Sequence, residues 1–306
     1  MFDVISIGAA TLDIFVKSKQ FIVANNLLSL EYSSKNEIKQ SLICSGGGAT
    51  NSSVSFSRLG LKSACLSLIA DDHLSGYIID DLKKESVDIK LLFKNKNDTT
   101  DFSVVLVAPD GGRSILTNRG ETRLEEKNIN WDKIPKTKWF YITSLEGNLE
   151  LLEELIGFAK ENNIKISLNP GNRELSQHKK LLPLLKHVDF LLLNKTEAEI
   201  LVDRKVDDPK FWDTLVSVSP KTVAVTNGRE GAFVFTDGNH YFSPIINIKP
   251  VDETGAGDAF GSTFVSALIY GLDPKEALFW AIKNSASVVA HLGAKPGLLT
   301  LKQIKK

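Results

Sequence analysis

Two hydrophobic rhythms alternate along this chain. Short apolar runs rich in Val, Ile and Phe, closed by Gly, Pro, Asn or Asp, read as buried strands. "DVISIG" (Asp3 to Gly8) is the first and "SACLSLIADD" another. Between them "SGGGATNSSVSFSRLG" (Ser45 to Gly60) runs from a glycine cluster into a helix of small residues, stopped by Gly60. "SGYIIDDLKKESV" spaces Tyr77, Ile78, Leu82 and Val87 as one face of a helix. From residue 139 the alternation becomes regular. "WFYIT" precedes "NLELLEELIGFAKENN", "IKISLNP" precedes a helix near "HKKLLPLLKH", and "VDFLLLN" precedes "TEAEILV". "KTVAVTNG" leads into the hairpin "GAFVFTDGNHYFS", and two long helices follow. Strands alternating with helices of this length predict a mostly parallel sheet covered on both faces.

Two stretches break the rhythm. Residues 11–43 mix strand-like alternation with polar loops, and "TTDFSVVLVAPDGGRSILTN" predicts two strands turning at Asp110-Gly111-Gly112. Segments 14–43 and 98–120 are expected to form a small β-sheet lid at the edge of one α/β domain spanning 1–306. No Pro/Ser-rich linker or repeat divides the chain. The last long helix has a legible start, with Asp273 as N-cap, Pro274 at N1 and Glu276 at N3.

Composition narrows the function. Lys plus Arg and Asp plus Glu number 37 each, so the formal net charge is zero, and no basic stripe of the kind nucleic-acid binding needs is present. No apolar run approaches a membrane span. Cys44 and Cys65 lack CxxC spacing and read as reduced thiols of a cytoplasmic protein. The expected partner is a small molecule.

The chemistry concentrates in "VDETGAGDAF" (Val251 to Phe260). Three small residues, Gly255, Ala256 and Gly257, precede Asp258 and an apolar helix. A helix N-terminus presents unpaired N–H groups and partial positive charge to an anion, and small residues let it approach. A carboxylate in the first turn can accept a proton from a hydroxyl held beside that anion. The pattern suits phosphoryl transfer, although an Asp stabilised by the helix dipole alone would read the same. Other motifs fail: no Gly-Lys pair exists for a Walker A loop, Gly261 falls one residue late for GxGxxG, and neither GxSxG nor HExxH occurs.

These residues resemble the ribokinase-like (PfkB) family of carbohydrate and nucleoside kinases. "SGGGATNSSVSFSRLG" matches the family's GGxxxN, and "DETGAGDAFGSTFVSAL" its D-T-x-G-A-G-D signature. "NKTE" (Asn194 to Glu197) matches NxxE and "TNGREG" (Thr226 to Gly231) matches TxGxxG, all in the family's order. The resemblance implies a three-layer sandwich with a β-sheet lid that closes on substrate and pairs with a second subunit's lid. It implies an ATP-dependent kinase with an alcohol acceptor, Asp258 as general base and the 255–257 amides as anion hole. Asp13, Gly46, Gly47 and Asn51 correspond to the acceptor site, with Arg119 at the lid's return toward the acceptor. Asn194, Thr226, Gly228, Gly231 and Asn284 correspond to nucleotide-binding positions. Glu197 corresponds to a Mg²⁺ position acting through water, while Asp252 and Thr254 lie where many members hold a monovalent cation such as K⁺.

Three departures stand out. Glu253 replaces a Thr of the signature, and "NPGNR" carries Asn169 and Gly171 where many sugar kinases have the Asp and Asn of D-x-N-x-R. A sugar kinase is the leading expectation. A nucleoside kinase, with Phe15, Tyr32 or Phe102 as a shelf for the base, is the alternative, and a catalytically silent binding module is a third reading.

Overall fold

The computed structural model describes residues 1–110, 112–120 and 123–306. The chain begins with β1 (Phe2–Ile7), β2 (Thr11–Lys17), β3 (Ile22–Ala24), β4 (Leu27–Ser29), β5 (Gln40–Gly46), α1 (Gly48–Arg58), β6 (Ser63–Ala70) and α2 (His73–Lys84). Next come β7 (Leu92–Asn95), β8 (Phe102–Val107), β9 (Arg113–Asn118), β10 (Thr137–Ile142), α3 (Leu149–Glu161), β11 (Lys165–Leu168), α4 (Asn172–Leu175) and α5 (His178–Leu185). The C-terminal part adds β12 (Phe190–Asn194), α6 (Lys195–Val202), α7 (Phe211–Val218), β13 (Thr222–Thr226), β14 (Ala232–Thr236) and β15 (Asn239–Ser243). It ends in α8 (Ala256–Ile269), α9 (Pro274–Val289) and α10 (Leu301–Ile304).

The central sheet has nine strands in the order β15-β14-β13-β12-β11-β10-β1-β6-β7. Its strands are parallel except β14 and β15, which extend one edge as a hairpin. Side chains alternate between faces with the period of two that a strand imposes. Ile5, Ile7, Phe140, Ile142, Leu191, Leu193, Val223 and Val225 face α3, α5, α6 and α7. Their neighbours Val4, Trp139, Tyr141, Phe190, Leu192 and Ala224 face α8, α9 and Phe56 of α1. Both faces are covered, so these strands are apolar on both sides, as the sequence predicted.

A second, four-stranded sheet runs β5-β2-β8-β9. β2 pairs antiparallel with β5 but parallel with β8, so this small sheet is mixed. The β8–β9 hairpin forms as predicted. Ala108 N–H donates to the Gly112 carbonyl across its turn, while Gly111 lies outside the described residues. Sequence reading passed over β7, whose short "LFKN" has little apolar character, and α7.

Helix α1 has an unusual interior. Ala49 to Phe56 are all buried although most are Ser, Thr, Asn or Ala. Ser52 Oγ and Ser53 Oγ return hydrogen bonds to carbonyls one turn back, to Gly48 at 2.6 Å and Thr50 at 3.0 Å, so these hydroxyls are satisfied within the helix. Small side chains bring α1 against α8, where Ser262 Oγ and Ser55 Oγ meet at 2.7 Å.

Candidate active site

The N-termini of α1 and α8 converge beyond the carboxyl ends of β1 and β10, where ligands bind in open α/β sheets. Gly255 caps α8 in the left-handed region (φ 78), and a Cβ there would fall 2.4 Å from that of Ala294. Only glycine fits this turn. At Gly257 a Cβ would meet nothing within 4 Å, so open space fronts the helix end. The Gly255 and Gly257 N–H groups meet no acceptor among the described residues, whereas Ala256 N–H makes a long 3.3 Å contact to the Glu253 carbonyl.

Asp258 sits in the first turn of α8. Its Oδ2 accepts from Asn51 Nδ2 at 2.9 Å, across from α1. Burial pushes the Asp258 carboxyl up to about 6, against the opposing pull of the Asn51 hydrogen bond and the Lys295 charge; Asp13 adds a further push upward. The other end of the Asn51 amide, Oδ1, is buried with no partner among the described residues, an acceptor facing an open requirement.

Asp13 lies on β2 opposite Cys44 of β5 and is nearly buried. Burial raises its carboxyl, while Lys295 and hydrogen bonds from Thr11 and Ser103 hold it down. A Cβ on Gly46 would lie 1.9 Å from Asp13 Oδ2, so the glycine is required for this approach. Gly47 follows at φ 85 against Ala9. Asp13, Gly46, Gly47, Asn51 and Asp258 are thus gathered from distant segments into one region.

The expected nucleotide positions are more dispersed. Asn194 and Glu197 form a reciprocal cap on α6: Glu197 N–H donates to Asn194 Oδ1 at 2.9 Å, and Asn194 N–H to Glu197 Oε2 at 2.8 Å. Glu197 Oε1 remains free to accept from metal-bound water, so a Mg²⁺ role fits, and burial raises this carboxyl. Thr226 ends β13; Gly228 begins a short 3₁₀ turn and Gly231 closes it against β15. Asn284 is fully buried, donating to Thr263 Oγ1 at 2.7 Å and accepting from Leu299 N at 2.8 Å. It clamps α9 to α8 rather than facing a cleft. The Asp252 carboxylate accepts from Thr254 N (3.0 Å), Thr254 Oγ1 (2.7 Å) and Gly293 N (2.9 Å), with Arg113 3.9 Å away. These bonds hold the loop in place; a monovalent cation here would be held mainly by the backbone carbonyls around Asp252, Thr254 and Gly293.

Arg119 pairs with Glu146, toward which Arg123 (3.6 Å) and Arg173 (4.0 Å) also point. Gly171 has a local cause. A Cβ there would lie 2.5 Å from Ser144 Oγ, so an asparagine would displace Ser144. Asn169 donates to the Leu192 carbonyl at 3.1 Å.

Two residues near the site escaped sequence reading. Glu174, almost wholly buried, accepts from Leu145 N (2.7 Å), Gly147 N (2.8 Å) and Gly171 N (2.9 Å), fixing the loops after β10 and β11. Lys295, also buried, donates to the Ser45 carbonyl, Ser45 Oγ (2.9 Å) and Thr50 Oγ1 (3.0 Å). Its one signal was its setting in "GAKPG", a lysine among residues that build tight buried turns.

The chain is 24% identical over 312 residues to a ribokinase of Staphylococcus aureus, covering 99% of this chain and 98% of that one. An Escherichia coli protein solved with ATP and Mg²⁺ superposes with a TM-score of 0.84 at 20% identity, over 100% of this chain and 98% of that one. Adenosine kinase of Sinorhizobium meliloti superposes at 0.83 with 22% identity, over 99% and 98%. At these identities the structural neighbours establish the fold alone, an α/β sandwich. The model of the pfkB family of carbohydrate kinases matches residues 1–301, and the chain belongs to that family. It is a phosphotransferase with an alcohol acceptor.

Proposed function

We propose that this protein transfers the γ-phosphoryl group of ATP to a hydroxyl of a sugar or sugar derivative, with Asp258 as general base. The observation that carries this reading is the Asp258 carboxylate: pushed up to about 6, oriented by Asn51, and set in the first turn of a glycine-capped helix. A base with its pKa near neutrality is both ionised and basic enough to take a hydroxyl proton. In the transfer the acceptor oxygen attacks the γ-phosphorus, the bond to the β-phosphate bridging oxygen breaks, and the proton passes to Asp258 Oδ. The Gly255 and Gly257 amides face the phosphoryl oxygens as charge spreads over them. Mg²⁺ bound with ATP would neutralise phosphate charge, and Glu197 would hold it through a bound water.

Asp13 and Asn51 are assigned to acceptor hydroxyls, with Gly46 and Gly47 letting the polyol lie on backbone and Arg119 at the rim. Thr226, Gly228 and Gly231 are assigned to the nucleotide side. The small sheet is assigned as a lid that excludes water, whose attack would waste ATP. A nucleoside acceptor is the second reading, favoured by the superposition on an adenosine kinase. Of the aromatic candidates for a base shelf, Phe15 is fully buried and Tyr32 fully exposed, which leaves Phe102 on β8.

The test is ADP release with Mg-ATP against sugars, sugar acids, sugar phosphates and nucleosides, beside Asp258→Asn. Turnover of a sugar that falls by about 10³-fold or more in the variant is expected. Turnover that survives in Asp258→Asn removes the base assignment, and preference for a nucleoside removes the sugar. A chain that binds ATP but turns nothing over is the silent module.

A further inference from the structure

The buried ammonium of Lys295 has no part in the transfer as described, yet every one of its protons is used. The segment carrying it follows α9, and Arg58 Nη1 holds its backbone by donating to the carbonyls of Lys295 (2.8 Å) and Leu298 (3.0 Å). Arg58 is itself paired with Glu85 at 2.7 Å. From this anchored position Nζ reaches Ser45, immediately before the Gly46–Gly47 turn, and Thr50, immediately before Asn51. Thr50 Oγ1 in turn donates to the Gly46 carbonyl at 2.7 Å. Ser45 donates both its N–H (3.1 Å) and its Oγ–H (2.5 Å) to Asp81 Oδ2, which lies 3.9 Å from the ammonium. An ammonium in the interior is tolerated only when its donors are satisfied and a counter-charge is near. Here both conditions are met, and the network they require encloses the two ends of the turn that precedes Asn51.

We propose that Lys295 is a positioning residue: its ammonium fixes the Ser45–Thr50 turn and through it the Asn51 amide that orients the Asp258 carboxylate. The inference rests on the kinase reading for its link to turnover, but not for its link to Asp258. Groups facing Lys295 are Cys44 and Asp81 first, then Asp13 and Asp258; groups facing Asp258 are Asn51, Lys295, Asp13 and the buried Tyr141 hydroxyl. With all of these in place, the positive charge of Lys295 favours the ionised form of Asp258, and Asp81, 3.9 Å from the ammonium, partly offsets that charge.

Lys295→Met keeps the length of the side chain and removes donors and charge. Lys295 is replaced in one variant and Asp81, at the partly exposed end of the network, becomes asparagine in another. The Asp258 carboxyl is titrated in each by ¹³C NMR, and kcat and KM are measured wherever the wild type turns over an acceptor. In Lys295→Met the Asp258 titration is expected at higher pH than in the wild type, and in Asp81→Asn at lower pH. kcat of Lys295→Met is expected to fall by about tenfold or more with KM for ATP within about twofold, since the altered group serves the acceptor side. The Asn51 side-chain amide is followed by ¹⁵N NMR alongside: a lysine acting only through its charge would shift the Asp258 titration and leave the Asn51 signals and kcat at pH 8 in place, and that result overturns the proposal. Should Lys295→Met fail to fold, Asp81→Asn decides alone: unmoved Asn51 side-chain amide signals overturn it. A wild type without turnover removes the kinase reading while the NMR measurements still decide the role of Lys295.

Discussion

At the scale of single residues, the Asp258 environment couples chemistry to stability. An ordinary carboxyl titrates near 3.8, and that of Asp258 is raised to about 6. Below about pH 4 it is protonated in both folded and unfolded chains and adds no penalty. Between about pH 4 and 6 the unfolded chain ionises first, so stability falls as pH rises, reaching a cost of about 3 kcal/mol above pH 6. Asp258→Asn removes that cost. The variant is therefore expected to melt higher than wild type at pH 8, with the gain shrinking toward zero at pH 4, while activity is lost. Thermal unfolding across that range checks this, and a gain independent of pH would refute it. The same shift predicts that wild-type kcat/KM rises with pH through an ionisation near 6 and is level above it.

At the scale of elements, the glycines of the α8 turn separate folding from function. Gly255→Ala places a Cβ at positive φ and 2.4 Å from Ala294 Cβ. A loss of about 1–3 kcal/mol follows, lowering the melting temperature by several degrees. Gly257→Ala meets no atom within 4 Å and has an ordinary helical setting, so stability should hold while kcat/KM for ATP falls if phosphate passes close to that backbone. Differential scanning fluorimetry beside steady-state kinetics distinguishes the two, and equal losses of stability would contradict it. Which elements could be foreseen follows the same logic. The alternating faces of β1, β10, β12 and β13 and the capped start of α9 were legible, because period and caps are local properties. Asp273 accepts from Glu276 N at 2.9 Å, as its spacing predicted. The meeting of Asn51 with Asp258, 207 residues apart in sequence, was legible only through motif resemblance. Glu174 was not legible and Lys295 only faintly so, through its setting in "GAKPG", since a buried charge looks like a surface charge until its partners, scattered through the chain, are folded around it. Asn284 was misleading for a related reason: an asparagine on an amphipathic helix does not announce whether it faces a ligand or an interior clamp.

For the whole molecule, the small sheet is the surface most open to association. All six residues of β9 are exposed, Ile115 and Leu116 among them, and Ile43 of β5 is exposed as well. Apolar side chains on an edge strand invite pairing with a second copy. A homodimer joined through this sheet is expected, seen as twice the chain mass in light scattering, with Leu116→Asp shifting it to monomer. A monomeric wild type would discard it. Among the described residues no helix is long and apolar enough to cross a membrane.

The ladder between α1 and α8 has a bearing on how such a protein changes over time. Asn51 meets Asp258, and one helical turn further along Ser55 meets Ser262, so two rungs four residues apart bolt the reaction centre to a single pair of helices. Among the described residues the small sheet meets that pair at its rim, at Asp13, Gly46 and the Ser45 turn. On the proposed function, acceptor preference can therefore change by substitution in the small sheet while the pair of helices that holds Asp258 stays as it is. A lineage built this way would diversify its diet far more readily than its chemistry.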